Sequence, residues 1–247
     1  MWRGRLVLLI GMLVLGVGLV LPWPWLRPSW RDAIEKIWSA WVLRILRVRV
    51  RVQGDWPPPG SLLAVNHVSW VDVQALNAIG PSAFVAKSEI ARWPLAGFMT
   101  RRTGTIFIER GRRHAVKAAV AAVTAALRVG RRVAVFPEGT TGDGTALLPF
   151  HGNLLQSACD AQVPVYPVAL CYTDAAGRFT TAPAFVGEQT LLENIRVLLT
   201  TPQGFGLSIQ VLEPVAPGGT RQALTAQARA RIEAALVETR AVTTRLP

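Results

Sequence analysis

The sequence contains few cysteines and few lysines. Two of its 247 residues are cysteine, Cys159 and Cys171, which are too few for a disulfide framework or a zinc site. Both lie in apolar stretches typical of a buried core, so a reducing compartment, the cytoplasm, is the simplest expectation. Lysine occurs only three times, and arginine therefore supplies almost all of the formal net charge of +12.

Internal repeats and low-complexity tracts are absent as well. Hydrophobic residues make up 51%, which is high for a purely soluble protein, and a basic, apolar chain suggests anionic lipid or phosphate-bearing ligands. Charge alone would also permit nucleic acid binding. The region after residue 47, however, lacks the interleaving of aromatic and basic residues found in single-strand binders, so we expect no nucleic acid partner.

The chain begins with a long apolar segment. An apolar run covers residues 6–21 and, through Pro22-Trp-Pro24-Trp, reaches residue 26. These 21 residues would extend about 31 Å as a helix, just enough to cross a bilayer core, although the two prolines interrupt a straight span. A secretory signal is the main alternative, but no small-residue cleavage site follows the run. We favour a retained membrane anchor.

A second helix of a different kind is predicted from Trp30 to Arg47. Its apolar residues recur at the spacing of one helical face, and charged residues take the other side. Six of the nine tryptophans lie at or before residue 41, where indoles favour a membrane interface. The alternative is an ordinary amphipathic helix packed on the rest of the protein. The apolar positions are Trp30, Ile34, Ile37, Trp38, Trp41, Val42 and Ile45.

The distribution of basic residues predicts the orientation of this segment. Arginine and lysine are denser after the apolar run than before it, and the positive-inside bias therefore places the larger part of the chain in the cytoplasm. We divide the chain into a membrane anchor with an interfacial helix, residues 1–47, and one folded domain, residues 48–247. The expected location is the inner membrane, with the folded domain facing the cytoplasm.

From residue 48 the pattern alternates between short apolar strands and helices. A Val-Arg alternation at 48–52 predicts an exposed strand. The alternation favours an α/β fold, with a mostly parallel sheet covered by helices on both faces. Further strands are predicted at 61–66, 82–86, 104–108, 132–136, 164–170 and 206–212. Helices are predicted at 69–79, 88–101 with a break at Pro94, 112–129, 152–160, 189–200 and 220–239.

A histidine and an aspartate follow the predicted strand 61–66. Active sites in open α/β sheets gather at the carboxyl ends of strands, which is where His67 falls. Asp72, in the first turn of the next helix, would fix the imidazole tautomer and stabilise the imidazolium while His67 takes a proton from an alcohol. No serine or cysteine nucleophile is needed, because the alcohol itself attacks. The alternative is a structural histidine and an aspartate favoured by the helix dipole.

Three further segments follow or form predicted strands. Residues 136–144 are a glycine-rich turn whose backbone N–H groups can approach an anion, and Glu138 within it needs a polar partner. Another strand ends in Glu109 and Arg110, and an arginine can hold a phosphate through paired donors. For Arg110 alone, a solvated charge pair is the simpler interpretation. The apolar segment 163–169 contains two prolines and is interpreted as structural.

Together these four segments resemble the 1-acylglycerol-3-phosphate acyltransferases, a family of glycerolipid acyltransferases. The resemblance covers about residues 60–170 and is carried by His-four-residues-Asp, Phe-Ile-Glu-Arg, Phe-Pro-Glu-Gly-Thr and Val-Pro-Val, in that order. It implies an α/β acyltransferase domain on a membrane-embedded pair of helices, with His67 and Asp72 catalytic. It also links several residues to the acceptor's phosphate pocket, namely Arg110, Glu138, Gly139 and Thr140, with Lys87 at a basic position nearby.

The expected reaction moves a fatty acyl chain from acyl-CoA or acyl carrier protein to the free hydroxyl of 1-acyl-glycerol-3-phosphate, forming phosphatidate. Lysophospholipids and membrane lipids are thus the expected partners, and neither a metal nor a bound cofactor is implied. Another lysolipid, such as lyso-ornithine lipid, is the alternative acceptor. The family commonly has lysine where His151 stands; we expect a local variant without consequence, although a lysine that holds a phosphate in the family would leave the headgroup open. The remote alternative, a non-catalytic membrane adaptor, would not need His67, Asp72 and Glu138 at adjoining strand ends.

Overall fold

A computed structural model describes residues 2–109 and 113–244 of the chain. The α-helices in these ranges are α1 (Trp2–Val20), α2 (Pro28–Leu46), α3 (Val71–Ile79), α4 (Ala96–Arg102), α5 (Arg113–Arg128), α6 (Gln156–Ala161), α7 (Leu191–Thr200) and α8 (Arg221–Thr244). The strands are β1 (Val48–Gln53), β2 (Leu62–Val65), β3 (Ala83–Lys87), β4 (Ile106–Ile108), β5 (Val133–Val135), β6 (Val165–Thr173) and β7 (Phe205–Val211). Short 3-10 turns cover Trp23–Trp25, Ser88–Arg92 and Gly152–Leu155.

The strands form one mixed sheet in the order β1-β7-β6-β2-β5-β3-β4. The five strands from β6 to β4 in that order are mutually parallel, whereas β7 pairs antiparallel with β6 and β1 pairs parallel with β7. The two strands at one side of the sheet therefore run opposite to the others. The predicted α/β fold with a mostly parallel sheet is confirmed, with β1 and β7 as the exceptions.

Both faces of the central strands are buried. Leu63 and Val65 of β2 pack in one core with α2, α3 and α7, while Leu62 and Ala64 pack on the other face with α5, α6 and α8. None of these four side chains is measurably exposed. Because β2 is buried on both faces, its sequence is a continuous apolar run and does not alternate between apolar and polar residues.

The observed elements follow the predicted ones closely. Pro94 does break the predicted helix 88–101, and it separates the 3-10 turn Ser88–Arg92 from α4. The predicted helix 152–160 begins as a 3-10 turn and continues as α6. Strand β6 is longer than predicted and ends at Thr173. Its additional residues bring a further side chain to the candidate site.

α1 is the one helix within the described ranges that has the length and composition of a membrane span. Signal sequences and core helices can share these properties, but only 11% of the apolar window of α1 is buried, which excludes a core helix. α2 lies beside it, and Trp38 Nε1 donates a hydrogen bond of 3.0 Å to the carbonyl oxygen of Met12. α1 thus packs on α2 along one side and leaves its other side open.

Arg5 joins the start of α1 to the folded domain. Its guanidinium donates to the carbonyl oxygens of Ile45 at 2.8 Å, Leu199 at 3.0 Å and Leu198 at 3.2 Å. These carbonyls lie in the last turns of α2 and α7, where helical partners are missing and the helix dipole is negative. One arginine therefore caps two helices; we call this contact the Arg5 clasp.

α2 belongs to the core as well as to the N-terminal segment. Val42, Leu43 and Leu46 are buried in the same core as β2 and α3, while Trp30 and Trp41 are exposed on another side of the helix. The buried residues fit the alternative of an amphipathic helix packed on the rest of the protein, and the interfacial placement of the exposed side stays a prediction. The division of the chain after residue 47 stays a prediction, and a cut there would remove core side chains.

Candidate active site

Asn66 fixes the point at which the chain leaves the sheet. It directly follows β2, and its buried side chain donates from Nδ2 to the carbonyl oxygen of Leu170 at 3.0 Å and accepts the Leu170 N–H at Oδ1 at 2.7 Å. The side-chain amide thereby extends the pairing between β2 and β6 by one position. His67 comes next and lies at the carboxyl end of β2, the edge at which α/β enzymes place catalytic groups.

The structure brings the predicted pair together. His67 Nδ1 lies 2.9 Å from Asp72 Oδ2, and the histidine side chain is 18% exposed while the aspartate is completely buried. A carboxylate at Nδ1 favours the imidazole tautomer that carries its proton there, which leaves the Nε2 lone pair for a substrate proton. Among the described residues, no hydrogen bond occupies Nε2.

Asp72 is held in place by backbone N–H groups of the loop before its own helix. Besides His67, Oδ2 accepts the backbone N–H groups of Val68 at 2.7 Å and Ser69 at 2.9 Å. Asp72 is the second residue of α3, where the positive end of the helix dipole also favours a negative charge. The loop between His67 and α3 is thus folded around this carboxylate, which explains why the spacing between the two residues is so short.

Tyr172 contacts the other oxygen of Asp72. Tyr172 lies in the part of β6 that extends beyond the predicted end of the strand. Its phenol is 1% exposed and donates a hydrogen bond of 2.7 Å to Asp72 Oδ1. Burial, the charge of Asp72 and this hydrogen bond together raise the pKa of Tyr172 well above its ordinary value, so the phenol stays protonated and remains a donor. This residue was not predicted from the sequence, although a tyrosine in an otherwise apolar strand requires a partner for its hydroxyl.

Glu138 connects the glycine-rich turn to the histidine. Its Oε1 accepts the backbone N–H of His67 at 2.8 Å, and its Oε2 accepts that of Leu148 at 2.9 Å. The side chain is 5% exposed; burial raises the pKa of Glu138, and the two backbone hydrogen bonds oppose this by lowering it. The resemblance linked Glu138 to a phosphate pocket, whereas the contacts of its carboxylate in the structure are to main chain.

Phe136 packs against one face of the imidazole. Its ring stacks on His67 with a centroid distance of 3.8 Å and an angle of 14° between the planes, and Phe84 stacks behind it at 6.2 Å. On the far side of the turn, the Gly142 N–H donates to the His67 carbonyl oxygen at 2.8 Å. The turn after β5 therefore contacts the ring, the N–H and the carbonyl of the same histidine.

The other predicted site residues are less well defined by contacts. Gly139 has a φ of +67°, which glycine adopts readily, and its N–H closes a tight turn onto Phe136. Thr140 is exposed beside it, and Lys87 is exposed at the end of β3, which neighbours β5. Arg110 lies outside the described residues. The phosphate-binding role of these residues stays a prediction.

Neither cysteine takes part in this site. Cys159 and Cys171 are both free, and burial is the main cause that raises the pKa of each thiol, so both stay protonated near neutral pH. Within residues 2–109 and 113–244, no group of three or more histidine, cysteine, aspartate or glutamate side chains is arranged to hold a metal ion.

The family model and the related proteins that match this chain all point to acyltransferases. A family model described as Acyltransferase matches residues 47–171, from the residue before β1 to the later part of β6. A lyso-ornithine lipid O-acyltransferase of Pseudomonas aeruginosa is 37% identical over 256 aligned residues, which cover 98% of each chain. A 1-acyl-sn-glycerol-3-phosphate acyltransferase of Neisseria meningitidis is 45% identical over 158 residues, 62% of each chain.

A solved structure has the same fold. The crystal structure of the 1-acyl-sn-glycerophosphate acyltransferase PlsC from Thermotoga maritima superposes with a TM-score of 0.71, covering 98% of both chains. The two sequences are 21% identical, so this likeness supports the architecture and not the substrate.

Proposed function

The chain belongs to the acyltransferase family, and from this premise we propose that it transfers a fatty acyl chain from a thioester to the free hydroxyl of a lysolipid at a membrane surface. The observation that carries the proposal is the 2.9 Å contact between His67 Nδ1 and a fully buried Asp72. It leaves one imidazole nitrogen free at a strand end, where an acceptor hydroxyl can reach it.

The proposed chemistry is direct transfer with His67 as general base. Nε2 takes the proton of the acceptor hydroxyl while its oxygen bonds to the thioester carbonyl carbon. Collapse of the tetrahedral intermediate breaks the carbon–sulfur bond, and the imidazolium returns the proton to the departing thiolate. Asp72 stabilises the imidazolium in between. A positioned base of this kind contributes about 10²- to 10⁴-fold in rate.

Tyr172 and Glu138 act in this proposal as positioning residues. Tyr172 holds Asp72 Oδ1 and so fixes the carboxylate that orients the imidazole. Glu138 holds the His67 backbone, and Phe136 holds its ring. Restricting the ring in this way keeps Nε2 aimed at one point, which matters because a small displacement of a catalytic group costs a large factor in rate.

The N-terminal helices are proposed to place this site at the inner membrane, with the domain of residues 48–247 in the cytoplasm. α1 supports the proposal by its apolar composition and low burial. Because Arg5 at its start bonds to the ends of α2 and α7, both ends of α1 lie on the side of the domain, and the helix is proposed to lie in one leaflet rather than to cross the bilayer. Tryptophan supports it further, because Trp25 and Trp30 are 82% and 62% exposed and indoles favour the level of the lipid headgroups. The acyl acceptor is itself a membrane lipid, so it need not leave the bilayer completely to reach His67.

We propose lysophosphatidate as the acceptor, with phosphatidate as the product. The Neisseria relative, named for 1-acyl-sn-glycerol-3-phosphate, supports this choice through its 45% identity. Arg110 is proposed to hold the phosphate through its paired donors, with Lys87 as a second cation. Both acyl-CoA and acyl carrier protein remain candidate donors, since the mechanism uses only the thioester that they share.

Lyso-ornithine lipid is the second candidate acceptor. The Pseudomonas relative with that activity in its name aligns over 98% of both chains, further than the Neisseria relative does. His151 also favours lyso-ornithine lipid, because the 1-acylglycerol-3-phosphate acyltransferases commonly have a lysine at that position. This acceptor has no phosphate, so it would not need the cation pair proposed for lysophosphatidate.

One experiment distinguishes these proposals. The purified full-length protein is assayed with each acceptor against acyl-CoA and against acyl carrier protein, the acylated lipids are identified by mass spectrometry, and His67→Ala serves as the inactive control. We expect phosphatidate to form fastest. Faster acylation of lyso-ornithine lipid would contradict the acceptor assignment alone, whereas no acylation of any lysolipid would contradict the acyltransferase proposal.

A further inference from the structure

A groove of about 650 Å³ lies between the end of α2, the edge strand β1 and the end of α3. It shares no residue with the candidate active site. Its volume falls within the range of ligand pockets, roughly 300–1,000 Å³. The lining combines an aliphatic floor with a basic rim, represented by Leu43, Val50 and Ile79 and by Arg44, Arg47 and Arg49.

The rim is cationic and has no internal counter-charge. None of the residues lining the groove is acidic, and within the described part of the chain none of the three arginines lies within 4.0 Å of a carboxylate. Arg47 donates to the carbonyl oxygen of Pro202, which fixes its position, and it also repels the nearby Arg5. An anion bound at the rim would relieve this repulsion between like charges.

The groove continues an apolar stripe along α2. Trp30, Ile37 and Trp41 lie on one side of the helix and are 62%, 59% and 53% exposed. Arg44 follows on the same side, and its guanidinium lies 5.8 Å from the centre of the Trp41 ring. At a membrane interface, acyl chains give way to lipid phosphates. The tryptophans and isoleucine of this stripe suit the acyl chains, and the arginine at its end suits the phosphates.

We propose that this groove binds an anionic bilayer phospholipid as a ligand that is not a substrate, an inference that rests on the membrane placement proposed above. The lipid phosphate lies between Arg44 and Arg49, and part of one acyl chain lies on the aliphatic floor. Arginine suits this role, because its planar fork can donate two parallel hydrogen bonds to a phosphate. The bound lipid would hold the domain in one orientation on an anionic membrane.

The test compares two arginines on the same strand. Arg49 lines the groove, and Arg51 lies two residues further along β1 without lining it, so replacing either by glutamine removes one charge from the same face. Native mass spectrometry of the full-length protein in detergent then measures retention of phosphatidylglycerol and of phosphatidylcholine with identical chains. Wild type is expected to favour phosphatidylglycerol about tenfold, and Arg49→Gln or Arg44→Gln to lose roughly this factor. Arg51→Gln is expected to change retention by less than twofold.

Several results would overturn the proposal. Equal losses for Arg49→Gln and Arg51→Gln would mean that net charge alone attracts the lipid, and equal retention of both lipids by wild type would remove the anion preference. Phosphatidate retained far more tightly than phosphatidylglycerol would make the groove a product site. If Arg49→Gln instead weakens use of acyl carrier protein and leaves lipid retention unchanged, the rim docks that acidic protein.

A flotation assay separates this proposal from the one on which it rests. Wild type is mixed with vesicles of phosphatidylcholine only, so that the groove's anionic ligand is missing. Binding to these vesicles, together with loss of phosphatidylglycerol preference in Arg49→Gln, supports both proposals. Failure to bind would contradict the membrane placement itself, whereas binding combined with an unchanged Arg49→Gln variant would contradict the groove assignment alone.

Discussion

The candidate active site and the N-terminal helices hold their important side chains in opposite ways. Asp72 is fully buried, and each of its contacts, from His67 to Tyr172, is supplied by the chain itself. Along α1, by contrast, Val7 and Val14 are 68% and 60% exposed and have no such enclosure. The contacts that hold Asp72 are therefore supplied within the fold, while α1 displays apolar surface that the described residues do not cover. Changes at the site should affect chemistry, and changes in the helices should affect location or stability.

The largest expected effect comes from removing the base. His67→Ala should lower turnover on the order of 10³-fold, because the acceptor hydroxyl loses its general base. Steady-state kinetics measure the loss, while circular dichroism and vesicle flotation check that fold and membrane binding are unchanged. Near-normal turnover in the folded variant would remove His67 from the mechanism.

Glu138→Gln should give the next largest effect. The amide retains one acceptor oxygen but turns its NH₂ group toward a backbone N–H, so one of the bonds to His67 and Leu148 is replaced by a repulsion. We expect turnover to fall roughly 10- to 100-fold, equivalent to losing about 1.5–3 kcal/mol. The matched control is Glu188→Gln, at an exposed position, which should leave kcat unchanged. Equal kinetics for the two variants would contradict a positioning role for Glu138.

Tyr172→Phe should have a smaller and more specific effect. Without the phenol hydrogen bond the Asp72 carboxylate is held less firmly, and so is the imidazole that it orients. Steady-state kinetics should therefore show kcat reduced roughly threefold to tenfold, with the KM for the acyl donor unchanged. The raised pKa of Tyr172 keeps the wild-type phenol protonated near neutral pH, and its contribution would be lost only in strongly alkaline solution.

The chain supplies a control for this variant. Tyr166 is the other tyrosine, lies on the same strand, and is partly buried against the same core. Tyr166→Phe should leave kcat unchanged. A Tyr172→Phe variant that loses thermal stability while kcat stays at the wild-type value would show that the phenol only packs.

In the N-terminal region, Arg5→Gln should leave the chemistry unchanged. The variant breaks the Arg5 clasp, whose charge-assisted hydrogen bonds cap two helix ends, so the free energy of unfolding should fall by about 1–2 kcal/mol. Thermal unfolding in detergent measures this, with Arg3→Gln as the exposed control on the same helix. A tenfold fall in kcat at unchanged stability would show that the N-terminal helices influence the chemistry at the candidate active site.

The smallest expected effect is on salt extraction. Arginines near an anionic leaflet contribute roughly 1 kcal/mol each at low salt, but the apolar side of α1 does not depend on charge. Wild type should therefore remain with the membrane fraction after a high-salt wash, as followed by immunoblotting of pellet and supernatant. Complete release would contradict the proposed anchor.

Much of the fold could be predicted because the signals are local. Apolar runs located six of the strands, the Val-Arg alternation located β1, and the break at Pro94 followed from its missing N–H. The pairing of His67 with Asp72 was also predictable, since five residues connect a strand end to the first turn of a helix. The reversal of β7 relative to β6 could not be predicted, because strand direction is set by partners distant in the chain.

The parts of the site that escaped prediction have the same cause. Glu138 and His67 are 71 residues apart, and Tyr172 and Asp72 are 100 residues apart, so no spacing in the sequence joins them. The core packing of α2 was missed for another reason. The predicted apolar face omits Leu43 and Leu46, which are buried, so the sequence pattern alone did not show which side of the helix faces the core.

The Arg5 clasp has a consequence for how the protein is made. Arg5 bonds to a carbonyl 194 residues further along the chain, so this contact cannot form until almost the whole sequence has left the ribosome. At about 5–20 residues per second, α1 emerges roughly 10–40 s before the end of α7 is synthesised. During that interval α2 and, in the proposed membrane placement, lipid are the apolar partners within reach of the helix. Membrane binding should therefore precede the docking of α1 on α7, and a nascent chain arrested before residue 198 should already be bound to the membrane.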